Sequence, residues 1–83
     1  TEKIKVWPNP ASHEVHIENN VPSTKPSTLR LFNATGQAVR QWEMSAGQLG
    51  HVFSLGGVAD GMYFWRLGRE GRLVDSGKLI IIK

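Results

Sequence analysis

A chain of 83 residues, 40% apolar and 20% charged, with nine glycines, four prolines and no cysteine, is expected to form one small domain and excludes a second core. A domain this short buries only a little over ~60% of its unfolded surface and is marginal unless a disulfide, metal or partner helps it; without cysteine, disulfides, thiolate zinc sites and cysteine nucleophiles are excluded. The net charge of +3 is uneven: residues 1–65 balance five bases (Lys3, Lys5, Lys25, Arg30, Arg40) with five acids (Glu2, Glu14, Glu18, Glu43, Asp60). The excess lies in the tail, where Arg66, Arg69, Arg72, Lys78 and Lys83 face Glu70 and Asp75. No helix, RNP-like or finger motif accompanies that tail, so a solvated hairpin is expected and no nucleic-acid partner. The apolar run Leu79-Ile80-Ile81-Ile82 falls far short of the ~20 residues that cross a bilayer, and no direct membrane insertion is expected. The chain opens at Thr1 without an initiator methionine or the head of a secretory signal, and is expected to be a piece cut from a longer protein.

Apolar residues recur with period two, and Gly, Pro, Asn and Ser punctuate the chain at intervals near 8–12 residues, an all-β pattern. Lys3 to Trp7 make a first strand, in which Trp7 breaks parity with Ile4 and Val6. In the second, residues 13–18, Val15 and Ile17 share one face and Glu14, His16 and Glu18 the other. Residues 19–27 form a polar, proline-punctuated loop that is expected to carry the chain between sheets. Leu29 and Leu31 oppose Arg30 in a third strand, Gly36 supplies the positive φ of a tight hairpin, and residues 37–42 return as the fourth. Leu49, His51, Phe53 and Leu55 alternate in a fifth strand that Gly56-Gly57 ends, and residues 62–67 form a sixth. Gly68-Arg69-Glu70-Gly71 turns the chain, and residues 72–76 and 78–82 make a last strand or strand pair, with a bulge expected at Gly77. About seven strands match an antiparallel, immunoglobulin-like β-sandwich. Tyr63, opening the sixth strand after Asp60-Gly61, stands where a tyrosine corner would bond nearby backbone.

Chemistry is sparse. There is no G-x-S-x-G elbow and no paired-carboxylate motif, so no catalytic residues are expected and the domain reads as not an enzyme. His13 and His16, three apart on a strand, point to opposite faces and His51 is distant, so neither metal nor cofactor is expected. Residues 56–61 lack the Lys-Ser/Thr of a phosphate loop, and Asn33-Ala34-Thr35 matches the N-glycosylation pattern at a length that chance readily supplies. Trp7, Trp42 and Trp65 are either core or a sugar-stacking platform; Trp65, in parity with Tyr63 and Leu67, belongs to the core.

The terminal run is different. Four consecutive apolar residues on a strand place two on each face, so one pair points away from the core unless something covers it. Lys78 and Lys83 flank the run as gatekeepers, leaving its backbone edge able to accept another strand, such as that of a second copy in a homodimer. The alternatives are cover by the chain's own first strand or by an upstream domain.

These landmarks resemble one family along essentially the whole chain. Val6-Trp7-Pro8-Asn9-Pro10-Ala11-Ser12 resembles the opening V-Y-P-N-P-A-S/T element of the type A C-terminal sorting domains of the type IX (Por) secretion system. Residues 31–39, Leu-Phe-Asn-Ala-Thr-Gly-Gln-Ala-Val, resemble its L-Y-D-x-x-G-R-x-V hairpin, Leu55, Gly61, Tyr63 and Arg66 its L-x-x-G-x-Y-x-x-R stretch, and Lys78 to Lys83 its terminal K-L-I/V segment. The departures are Trp7 for tyrosine, Asn33 for aspartate, Gln37 for arginine, Ala59-Asp60 for proline-alanine, and Gly77 for a second basic residue.

The resemblance implies a non-catalytic address at the end of a cargo protein, residues 1–83 being the address. Cargo crosses the periplasm, the address is recognised by the outer-membrane translocon and its shuttle proteins, and a sortase-like cysteine protease removes it at the cell surface. Cleavage is expected upstream of or close to Thr1-Glu2-Lys3, with the cargo anchored on an anionic lipopolysaccharide or released. The residues implied in recognition are Pro8, Asn9, Pro10, Gly36, Gly61, Tyr63, Lys78, Leu79, Ile80, Ile81, Ile82 and Lys83. A carbohydrate-binding or adhesion module is the competing reading.

Overall fold

The structure, a computed structural model, describes residues 3–20 and 24–83. Its strands are β1 (Ile4–Trp7), β2 (Glu14–Asn19), β3 (Ser27–Asn33), β4 (Ala38–Met44), β5 (Gly50–Ser54), β6 (Gly61–Arg69) and β7 (Arg72–Ile81). They form two antiparallel sheets, β1-β2-β5 and β4-β3-β6-β7, in the sandwich arrangement of an immunoglobulin-like fold. Neighbours in sequence pair as β1–β2, β3–β4 and β6–β7, while the links after β2, β4 and β5 pass from one sheet to the other. The segment after β2 therefore carries the chain between sheets as its composition implies; its residues 21–23 lie outside the described part.

Alternation is the cause of this layering. Val15 and Ile17 of β2, Leu29 and Leu31 of β3, Tyr63, Trp65 and Leu67 of β6, and Leu79 and Ile81 of β7 all point inward and are buried. Ala11, Met44, Leu55 and Val58 complete the same core. Full burial of one such aliphatic side chain contributes about 1.5–3 kcal/mol, and repetition along four strands makes the register costly to slip. At one side of the sandwich Trp42 of β4 stacks on Phe53 of β5 with centroids 4.8 Å apart, joining the two edge strands across the gap.

Three local expectations change. β7 runs unbroken through Gly77, which pairs with Trp65; the irregularity lies instead where Leu67 pairs with Asp75 and Gly68 with Leu73, leaving Val74 as the extra residue. Gly77 is small for another reason: an added Cβ would stand 2.7 Å from Nε1 of the Trp65 indole. The turn between the last strands is shorter than four residues, because β6 extends to Arg69 and only Glu70 (φ 52°) and Gly71 (φ 76°) lie between it and β7, the signature of a type I′ hairpin. Leu49 lies outside β5 and is 47% exposed; the alternating inward set is His51, Phe53 and Leu55.

Two corners follow the expected chemistry. Gly36 adopts φ 91° in the β3–β4 turn, where Asn33 Oδ1 accepts from the Thr35 amide (3.1 Å), the Thr35 hydroxyl (2.7 Å) and the Gln37 amide (2.9 Å). An aspartate at 33 would offer the same acceptor, so this departure from the sorting-domain pattern leaves the turn chemistry intact. The Tyr63 hydroxyl donates to the Ala59 carbonyl at 2.6 Å, closing the corner before β6.

Candidate recognition surface

The twelve residues implied in recognition are not scattered. Gly61 pairs with Ile81, Met62 with Ile80, Tyr63 with Leu79 and Phe64 with Lys78, so the opening of β6 and the end of β7 lie side by side. Phe32 and Asn33 extend these rows onto β3, and Gly36 lines one concavity with Phe32, Phe64 and Lys78. All of this occupies one end of the four-stranded sheet.

The proline corner meets that end from the side. Asn9, held between Pro8 and Pro10, presents its carboxamide to β7 as a strand would: Nδ2 donates to the Lys78 carbonyl (3.1 Å) and Oδ1 accepts from the Ile80 amide (2.9 Å). Ala11 continues the pairing in a parallel bridge with Ile81, its amide donating to the Ile80 carbonyl (2.8 Å) and its carbonyl accepting from the Ile82 amide (2.8 Å). Farther back, the Ser76 amide donates to the Asp75 carboxylate at 2.8 Å. The edge of β7 is thus protected by the chain itself at Ser76, Ile80 and Ile82, and the expectation that this backbone stands ready to accept another strand is corrected. Cover comes from Asn9 and Ala11, in the segment after the first strand, and not from the first strand itself, which pairs with β2 in the other sheet.

Side chains of the terminal run divide as parity requires. Leu79 and Ile81 enter the core, Ile80 is half-buried on the outer face, and Ile82 is 56% exposed. Lys78 projects outward, but Lys83 is no loose gatekeeper: Nζ donates to the Leu55 carbonyl (2.9 Å) and its amide to the Asp60 carboxylate (3.2 Å). Asp60, which stands where the family pattern has alanine, thereby helps fasten the end of the run.

Sequence reasoning passed over Met62 and Phe64, which are 45% and 42% exposed on this outer face, and the half-buried Phe32 beside them. The signal was present, since Met62-Tyr63-Phe64-Trp65 is as continuous an apolar run as the terminal one and must likewise put two side chains on each face.

The outer face of the other sheet offers less. Trp7 lies against His16 (centroids 5.2 Å, 22° between planes), and Lys5 Nζ stands 5.2 Å from its ring centroid. Trp65 is buried, Trp42 stacks on Phe53, and Trp7 stacks on His16. His16, 3.3 Å from Glu14, points outward, whereas His51 points inward and stacks on Phe53 at 5.7 Å. Burial holds the His51 imidazole below its ordinary value, and its Nε2 has no hydrogen-bond partner.

Fold and surface together define an immunoglobulin-like β-sandwich with one sheet face and one locked terminal strand as its distinguishing features. Residues 5–83 match the secretion system C-terminal sorting domain family, and the chain belongs to that family. It is a C-terminal sorting signal of type IX secretion, a class of domain that marks proteins for the cell surface or for secretion and is not itself catalytic. No curated protein matches the chain.

Proposed function

We infer that residues 1–83 act as a removable address at the end of a cargo protein, read on the periplasmic side by the type IX translocon and its shuttle proteins. A sortase-like cysteine protease then cuts upstream of or close to Thr1-Glu2-Lys3, ahead of β1, so that the address leaves as an intact fold. The observation that carries this reading is the outward pair Ile80 and Ile82 beside Lys78, presented on a strand whose backbone is already clamped by Asn9 and Ala11. A clamped strand can be recognised through its face without being unfolded or paired. For the same reason this reading has no homodimer through the terminal strand edge.

The test fuses the domain to an exported reporter in a host with type IX secretion. The unaltered fusion should reach the surface or medium, and Ile80→Thr/Ile82→Thr, once shown to melt as a folded domain, should be exported more slowly. Retention of the folded, unaltered fusion in the periplasm would contradict the address. Wild-type export of the double variant would remove the outward pair from recognition.

A further inference from the structure

On the outer face of the four-stranded sheet, side chains stand in cross-strand rows about 7 Å apart along the strands. The first row is Met62 and Ile80, the second Phe32, Phe64 and Lys78, and the third Arg30, Arg66 and Ser76. The face thus passes from apolar to basic within three rows. At the far end a second concavity holds Arg30, Arg66, Arg69 and Arg72 with the single acid Glu70.

The third row is unusual. Arg30 and Arg66 are direct partners across β3 and β6, and like charges placed opposite each other on a sheet destabilise it. Among the described residues no carboxylate stands within ion-pair distance of either. Arg30 Nε donates to Gln41 Oε1 (3.0 Å), and the nearby Glu43 is taken by the Thr28 hydroxyl (3.0 Å) and Gln41 Nε2 (3.4 Å). Among the described residues the ion pair found is His16 with Glu14, on the other sheet. Among the described residues Arg66 has no hydrogen-bond or ion-pair partner, which leaves its guanidinium open to an anion from outside.

We propose that this face docks a protein segment in which apolar side chains stand next to carboxylates, the apolar ones on Met62, Phe64, Phe32 and Ile80 and the carboxylates on Arg30 and Arg66. Guanidinium forks match carboxylates bidentately, and the two set side by side favour a doubly acidic motif. The phenyl rings have no polar tip for sugar hydroxyls, and half of the face is uncharged, which suits a protein better than a polyanionic glycan or a lipid headgroup layer. The inference rests on the sorting reading in one respect, that the partner is a component the cargo meets during export.

The test places the photocrosslinking residue p-benzoylphenylalanine at Phe64, and separately at Val52 on the outer face of the other sheet, in the full cargo chain in a secreting host. Position 64 should crosslink to one protein at a segment carrying paired Asp or Glu beside apolar residues, and position 52 should not. Arg66→Glu is the informative variant, because it turns the Arg30–Arg66 repulsion into attraction: the domain should melt higher while the crosslink yield falls about tenfold, as expected when a charge at an interface is reversed. Arg66→Gln, which removes one charge without adding another, should fall between in yield.

Equal crosslinking from 52 and 64, a product on lipid or glycan rather than protein, or a yield indifferent to Arg66→Glu would overturn the proposal. Export of the unaltered cargo is followed in the same cells. If cargo is exported but position 64 captures no protein, the docking face fails and the address stands. If the unaltered cargo is not exported, the address itself fails.

Discussion

Replacing Gly77 by alanine should destabilise this domain out of proportion to a single methyl group. An alanine Cβ would lie 2.7 Å from Nε1 and 2.8 Å from Cε2 and Cζ2 of Trp65, whereas carbon contacts settle near ~3.5–4 Å, so the ring must retreat by about 1 Å. It has little room, being a 6% exposed member of the core between Tyr63 and Leu67. Forcing an extra carbon into packed space costs about 1–3 kcal/mol, and alanine's smaller unfolded-state entropy returns about 0.4–1 kcal/mol. Three simultaneous contacts with a rigid double ring place this site toward the upper end, leaving a net loss of about 2 kcal/mol. For a domain this small that lowers Tm by about 8–16 °C. Melting followed by circular dichroism measures it, and a double-mutant cycle locates it: in a Trp65→Phe background, where the second ring is gone, Gly77→Ala should be neutral or mildly stabilising. A Gly77→Ala protein that melts within about 2 °C of the unaltered domain, or one that loses as much with Phe at 65 as with Trp, would refute the steric argument.

Tyr63→Phe removes the 2.6 Å hydroxyl bond to Ala59 while keeping the ring, and should cost about 1 kcal/mol, read as a Tm drop of about 4–8 °C. Asn9→Ala strips both carboxamide bonds from β7 and should cost about 1–3 kcal/mol; with the Ile80 amide bared, the variant should also self-associate more strongly than the unaltered domain as concentration rises in analytical ultracentrifugation. Asn9→Asp keeps the acceptor for Ile80 but loses the donor to Lys78, and should fall between the two in stability. His51 is held below its unfolded value of 6.5, so its contribution is full above that pH and is lost as pH falls through 6.5 toward the lower folded value, where the unfolded chain binds the proton first. Tm should therefore drop more between pH 7.5 and 5.5 in the unaltered domain than in His51→Phe, and parallel drops would show that another group titrates.

How far the sequence reveals this molecule depends on whether the deciding contact is local. The inward sets of β2, β3 and β6, the Gly36 turn and the Tyr63 corner were legible because each follows from parity or from a link of a few residues. Gly77 was misread as a bulge because glycine in a strand has two meanings, and only the partner strand shows that Trp65 fills the space. That pairing also gives a physical reason why a basic side chain, frequent there in the family pattern, is missing from this chain. The grip of Asn9 on β7 was hidden for a different reason: nothing in Pro8-Asn9-Pro10 specifies a partner on the opposite end of the chain. The outward-facing Phe32 and Phe64 went unread because aromatic residues in a strand are ordinarily assigned to the interior, although their shared parity with Arg30 and Arg66 placed them outside.

The carboxamide of Asn9 reaches across 69 and 71 positions of sequence to Lys78 and Ile80. Contacts so remote in sequence form only after the intervening chain exists and has closed on itself. As the polypeptide is made from its beginning, the proline corner stays without its partners until residues 78–82 have been added, whatever else has already folded. A chain broken off short of that point would carry a first corner with nothing to close on. The geometry thus ties the first corner of the domain to its last strand: the proline corner takes its final form only on chains that extend through residues 78–82.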